Sequence, residues 1–484
     1  MHLLGSLLHS SWQWTLLGLE IVAAGTALVH VVLRKNDPRA AAYWVALIAL
    51  VPLMGAVLYL LLGINIIRRS GKRYRDAVPV DEQGRLASYV ASMLPEWETE
   101  VQSMPGLVTS LNTLSRMSLV GGNTVQVLRN GKEVMPAMLE AIESATSTIS
   151  LLSYIFEVKG VGMRFVEALE RAVKRGVEVR VMVDDAGTRY SWPPVTGEMR
   201  KRGITVRRFM PIHFIGRLLT MNLRNHRKLM IVDGRTGFTG GLNIRQGNML
   251  EENPPHPVQD LHFKVQGPVV MQMQQIFGED WQFCTGEVLE GPGWYPEHEM
   301  PGDVSALGLP DGPDDDTQPL SFAIATALHE AKREVRVLTP YFLPPEPIFS
   351  ALIACALRGV KVHVLVPSHN NIPLVKWASR TIYAPLLKKG CHIYEGAPPF
   401  DHSKALIVDG VFSLIGSTNW DPRSLQLNFE FNLACFDDKL ARELTAEFDR
   451  KRTVSREITL DVLAAQTLPE RLRNGVARLL VPLL

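Results

Sequence analysis

The sequence predicts two duplicated α/β lobes, each a mixed sheet flanked by helices, carried on an N-terminal two-helix transmembrane hairpin. Three observations predict this. The first 70 residues are dominated by apolar stretches, a strand–helix–strand pattern then occurs twice, and each copy is followed by the same His-x-Lys-x-x-x-x-Asp spacing. With 484 residues, 46% of them hydrophobic, the chain can build two or three domains with sizeable cores. A charged fraction of 21% and a mean hydropathy of +0.06 exclude a disordered or fibrous chain. The net charge of +2 gives no footing for bulk electrostatic binding of nucleic acid. Cys284, Cys355, Cys391 and Cys435 lie far apart without a CxxC pair, which argues against a disulfide framework and a zinc knuckle.

The hairpin, residues 1–70, is read from two apolar runs. The first extends from Trp12 to Leu33 and carries Glu20 and His30, both read as merely tolerated. The second, from Ala40 to Ile67, contains no charged residue. A bilayer core needs about 20 apolar helical residues, so each run is long enough to span. Met1 to Ser11 contains no Lys or Arg, unlike a signal peptide. Arg68, Arg69, Lys72, Arg73 and Arg75 follow the second run and outnumber Arg34, Lys35 and Arg39 in the turn, which favours a cytoplasmic catalytic region. A polar linker, 71–115, comes next.

The first lobe, 116–290, contains the strand Ile149–Phe156, a helix around Met163–Ala172 and the strand Val177–Asp184. The second lobe, 318–484, repeats this with Val335–Phe342, Ile348–Leu357 and Val360–Val366. β-Branched runs separated by ten-residue helical patterns are βαβ units. Tyr154 and Tyr341 occupy matching places and suggest a shared packing role. The Pro/Gly/Asp-rich segment 291–317, with Asp314, Asp315 and Asp316, reads as the joining loop. Leu468–Val481 is a basic amphipathic stretch suited to the membrane surface or to packing on the lobe.

Each lobe ends in chemistry. His226, Lys228 and Asp233 are matched by His402, Lys404 and Asp409, and each set is followed by a small-residue turn and an asparagine, Asn243 and Asn419. His and Lys two apart on a strand share a face, so an imidazole that can attack or protonate sits beside an ammonium that can neutralise phosphate. Asp233 and Asp409 precede Gly and are equally suited to organising a tight turn or touching substrate. Asn243 and Asn419 are candidate donors to phosphate oxygens. A working histidine needs its second ring nitrogen held, and Asp260 and Glu430, in strand-like runs downstream, are assigned that role. Among the other histidines, His213, His256, His262, His329, His363, His369 and His392 are read as surface or core residues.

These motifs resemble the phospholipase D superfamily. The hairpin, Arg224–Lys228 and Asp421–Leu425 resemble bacterial cardiolipin synthases of that type, over nearly the whole chain. The resemblance implies phospholipase D-type lobes and a bacterial inner-membrane enzyme working without metal or cofactor. It implies that His226 attacks phosphorus, His402 acts as acid and base, and Lys228 and Lys404 hold phosphate. Two phosphatidylglycerols would give cardiolipin and glycerol, with membrane lipids rather than nucleic acid as partners. The alternative activity is a hydrolase releasing phosphatidic acid, because water competes for the same phosphohistidine. A nuclease is disfavoured by charge, and an inert membrane scaffold by two intact motifs.

Overall fold

The computed structural model describes residues 2–35, 38–60, 99–210, 224–297, 299–313 and 318–480. The chain forms two compact units, the described residues up to Leu60 belonging to the first and those from Thr99 onward to the second. The expected basic cluster Arg68–Arg75, most of the linker, His213 and Asp314–Asp316 lie outside the described residues.

In the first unit α1 (His2–Arg34) packs against α2 (Pro38–Leu50) and α3 (Pro52–Leu58). Within α1, Leu17–Arg34 is long and apolar enough to cross a membrane, the one such helix among the described residues. The second apolar run differs from the single helix expected. Pro52 has no N–H to donate and its ring crowds the preceding turn, so α2 stops and α3 restarts beyond Val51. Ala24, Val31, Ile48 and Tyr59 form the packed seam, and Ile21, Val22 and Leu33 stay exposed. His30 is more than tolerated, since its Nδ1 lies 2.8 Å from the Tyr59 hydroxyl.

The second unit is organised on one long sheet. First-lobe strands are β1 (Val120–Arg129), β2 (Thr148–Ser153), β3 (Glu178–Asp184), β4 (Thr205–Phe209), β6 (Leu229–Val232), β7 (Thr236–Gly240) and β9 (Leu261–Gln266). Their second-lobe counterparts are β10 (Val304–Asp311), β11 (Glu334–Leu338), β12 (Lys361–Pro367), β13 (His392–Gly396), β15 (Ala405–Val408), β16 (Phe412–Gly416) and β17 (Asn428–Phe436). Outward from the centre the lobes read β1-β9-β7-β6-β2-β3-β4 and β10-β17-β16-β15-β11-β12-β13, the same order twice, joined by antiparallel β1 and β10. The predicted βαβ units are the parallel pairs β2–β3, joined by α5 (Val161–Lys174), and β11–β12, joined by α8 (Glu346–Leu357). Phe156, Phe165, Leu169, Val181 and Phe238 pack the first-lobe core with no measurable exposure.

Two expected boundaries shift. The segment 291–317 is not all loop: its apolar run Val304–Leu309 builds β10, which pairs with β1 and β17 and is buried almost throughout. The expected linker likewise holds a helix, α4 (Pro105–Leu114), whose Leu107, Val108 and Leu111 are buried and which packs against α7 (Pro319–Glu330). Helices also cross between lobes: α6 (Val269–Thr285) packs on β10, and α11 (Asp438–Thr453) packs on β1. The C-terminal α12 (Leu468–Leu479) packs on α9 (Pro373–Lys388) through Ala477 and Arg473, whose guanidinium lies 4.7 Å from the Trp377 ring centroid. Its Leu468, Leu472, Val476 and Leu479 remain exposed.

Candidate active site

Two small parallel pairings bring the motifs together. β5 (Arg224–Asn225) pairs with the start of β17, and β14 (Phe400–Asp401) pairs with β8 (Val258–Gln259). His226 N–H then donates to the Phe429 carbonyl and His402 N–H to the Gln259 carbonyl. The residue following each of those carbonyls is the carboxylate. Glu430 therefore reaches His226 Nδ1 at 3.0 and 3.1 Å, and Asp260 reaches His402 Nδ1 at 2.9 Å. The expected orienters are in place, but crossed: each histidine is held by the carboxylate of the other lobe. The imidazole rings lie 6.3 Å apart at 83°, facing a cavity of about 960 Å³.

The supports differ between halves while doing the same job. Arg227 is buried, with Nη1 2.5 Å from Asp280 of α6, and Asn225 Nδ2 donates to the same carboxylate at 2.7 Å. In the second half Asp401 takes the place of Asn225, bonding Ser403 Oγ at 2.6 Å and Lys451 Nζ of α11 at 2.6 Å. Ser417 Oγ donates to Glu430 at 2.5 Å, whereas its counterpart is Gly241. A Cβ there would sit 2.4 Å from Asp260 Oδ1, so only glycine admits the shorter carboxylate.

Burial sets the electrostatics. It lowers the His226 imidazole against the pull of Glu430. His402 is brought down to about 4 by burial and by the Lys404 charge, with Asp260 opposing. The ammonium groups suffer the same loss of solvent, Lys228 falling to about 7 and Lys404 to about 8, with Glu430 and Asp260 opposing. Burial would raise Glu430, yet His226, Lys228 and Ser417 together hold it below the usual carboxylate range. Lys228 Nζ donates to its own motif's His226 carbonyl at 2.5 Å, and Lys404 Nζ donates to the His402 carbonyl.

Asp233 and Asp409 require correction as site residues. Each sits at positive φ (51° and 54°) before a glycine of positive φ, the tight turn that Asp-Gly favours. Asp233 accepts N–H bonds from Thr146, Ser147 and Thr148, and Asp409 from Lys332, Arg333 and Glu334. Both carboxylates tie a turn to the start of β2 or β11, away from the cavity wall. Asn243 and Asn419 do line the cavity. The Asn243 oxygen accepts from Ile155 N–H at 3.0 Å. One N–H of the Asn419 amide donates to Ser424 Oγ at 3.0 Å.

Other lining groups escaped the sequence reading. Tyr154 and Tyr341 are not simply packing residues: their ring centroids lie 5.1 Å from His226 and 6.3 Å from His402. His256 and His369 line the cavity, while His262 is buried opposite Gly240 and off its wall. Arg224 and Arg423 line it as well, and their place inside the two motif neighbourhoods was the available signal.

A duplicated sheet with two crossed His–carboxylate pairs meeting in one cavity defines a phospholipase D-type fold. A family model described as "Cardiolipin synthase, PLD-like domain" matches residues 138–281 and 324–452, and one described as "Phospholipase_D-nuclease N-terminal" matches 22–63. The chain belongs to the phospholipase D-type cardiolipin synthase family. It is 30% identical to the cardiolipin synthase of Oceanobacillus iheyensis, over 97% of this chain and 99% of that one. It is likewise 30% identical to cardiolipin synthase A of Pseudomonas putida, over 97% of each chain. The major cardiolipin synthase of Bacillus subtilis is 29% identical over 95% of this chain and 96% of its own. In fold it is similar to the phosphatidylserine synthase of Haemophilus influenzae, with a TM-score of 0.58, 14% identity, and coverage of 78% of this chain and all of that one.

Proposed function

We propose that this chain is a membrane-bound phosphatidyltransferase that converts two phosphatidylglycerols into cardiolipin and glycerol. One observation carries the chemistry: two imidazoles 6.3 Å apart, each backed on Nδ1 by a buried carboxylate, leave both Nε2 atoms for a phosphorus between them. Full-length likeness to cardiolipin synthases supplies the substrate.

In the first step His226 Nε2 attacks phosphorus, the bond to the glycerol oxygen breaks, and His402 gives that oxygen a proton. In the second, His402 takes the proton from a hydroxyl of another phosphatidylglycerol, whose oxygen attacks phosphorus as the N–P bond breaks. Burial and the Lys404 charge favour neutral His402, so an arriving phosphate anion is what favours its protonation. Lys228 and Lys404 neutralise the phosphate oxygens, and Asn243 adds a neutral donor. Asp260 and Glu430 stabilise each imidazolium as it forms.

The first unit anchors the enzyme by two spans, α1 and the kinked α2–α3 leg, in the bacterial inner membrane, with the catalytic unit cytoplasmic. The test is mass spectrometry of products from phosphatidylglycerol vesicles containing the full chain, beside a His402→Ala control. Cardiolipin and glycerol, absent from the control, are expected. Phosphatidic acid without cardiolipin would replace the transferase reading by a hydrolase.

A further inference from the structure

The two halves of the cavity are built from equivalent elements, so unlike residues at equivalent places carry information. Two positions before His402 stands Phe400, while two before His226 stands Arg224. Four positions after Asn243 stands Gly247, while four after Asn419 stands Arg423. Both arginines line the cavity, and Arg224 is only 9% exposed. The other side of the wall is largely apolar, with Leu343, Ile372, Val375, Pro399 and Phe400. Burial and the nearby Asp184 carboxylate push the Tyr154 hydroxyl up and both arginines pull against it, whereas at Tyr341 the opposing pull is the Asn371 hydrogen bond. Both arginine charges therefore act on the Tyr154 side of the cavity, where the Asp184 carboxylate acts as well.

The charge inventory indicates what this side is for. Around the imidazoles, Lys228 and Lys404 already face Asp260 and Glu430 before any lipid arrives. The transferred phosphodiester adds one negative charge there. Cardiolipin contains a second phosphodiester, one glycerol away, and an anion brought into a buried cavity is unfavourable without its own cations. Guanidinium forks suit phosphate oxygens through paired N–H donors. Resting on the transferase reading above, we infer that Arg224 and Arg423 form a second anion subsite that holds the accepting lipid's own phosphate. The enzyme thereby recognises its acceptor as a phospholipid rather than as any alcohol.

The full-length protein in phosphatidylglycerol vesicles is offered ethanol as a competing acceptor without phosphate, and cardiolipin and phosphatidylethanol are quantified together. Arg224→Gln and Arg423→Gln are expected to lower the cardiolipin-to-phosphatidylethanol ratio about tenfold, equivalent to ~1.4 kcal/mol. Arg423→Lys, which keeps charge but loses the fork, is expected to fall between wild type and Arg423→Gln. Parallel loss of both products overturns the inference, assigning the arginines to the transferred phosphate or to the fold, and an unchanged ratio overturns it too. Wild-type protein that makes phosphatidylethanol but no cardiolipin would instead sink the transferase reading itself.

Discussion

Replacing Glu430 by Gln keeps the shape of the group behind His226 but removes its charge. The carboxylate has no measurable exposure and meets Nδ1 at 3.0 and 3.1 Å, so solvent screens the interaction little. A hydrogen bond to a charged group is worth about 1.5–3 kcal/mol, and 1.36 kcal/mol corresponds to tenfold in rate, so kcat is expected to drop roughly 10- to 150-fold. Although Glu430 lies 204 residues from His226, the defect belongs to the first motif. Trapping of phosphoenzyme from phosphate-labelled phosphatidylglycerol tests this, with a rapid detergent quench at alkaline pH because the N–P bond is acid-labile: Glu430→Gln slows its appearance. Asp260→Asn, acting on His402, should slow both release of glycerol and transfer to the acceptor. In a double-mutant cycle Glu430→Gln adds little to His226→Ala. If Glu430→Gln left phosphoenzyme formation within twofold of wild type, the crossed pairing would not be the catalytic arrangement.

Three other outcomes are expected. Phosphate binding should draw protons onto the site near pH 8, because burial holds Lys228 at about 7 and Lys404 at about 8 until an anion arrives; calorimetry in buffers of different ionisation enthalpy would reveal the uptake. His262 is held at about 4 by burial, so between its folded pKa and the unfolded ~6.5 the unfolded chain binds the extra proton and stability falls as pH drops. His262→Asn, the residue found at the matching Asn432, should flatten that acid loss in thermal unfolding at pH 5 against pH 7.5. Asp280→Ala leaves the Arg227 guanidinium without its carboxylate in a buried site and should destabilise the catalytic unit by about 3–5 kcal/mol, visible as a lowered denaturation midpoint.

Much of this was legible in the chain, for identifiable reasons. Strand periodicity and Gly-capped helices act locally, so β2–α5–β3 and β11–α8–β12 could be read directly, as could the Asp-Gly turns at Asp233 and Asp409. The His-x-Lys spacing needs only the two-residue repeat of an extended chain. Tertiary structure decided what depends on partners distant in sequence. Which carboxylate serves which histidine follows from β5 pairing with β17 and β14 with β8, pairings between segments more than 100 residues apart. The run Val304–Leu309 became the central strand β10 because β1 and β17 flank it on both sides, a context its Pro- and Gly-rich neighbours concealed. Asp233 and Asp409 were drawn away from the site because each carboxylate met three backbone N–H groups of a segment that only the folded sheet brings near. Tyr154 and Tyr341 face the imidazoles for the same reason: strand order determines which cavity a strand end opens into, and local residue pattern does not encode that order.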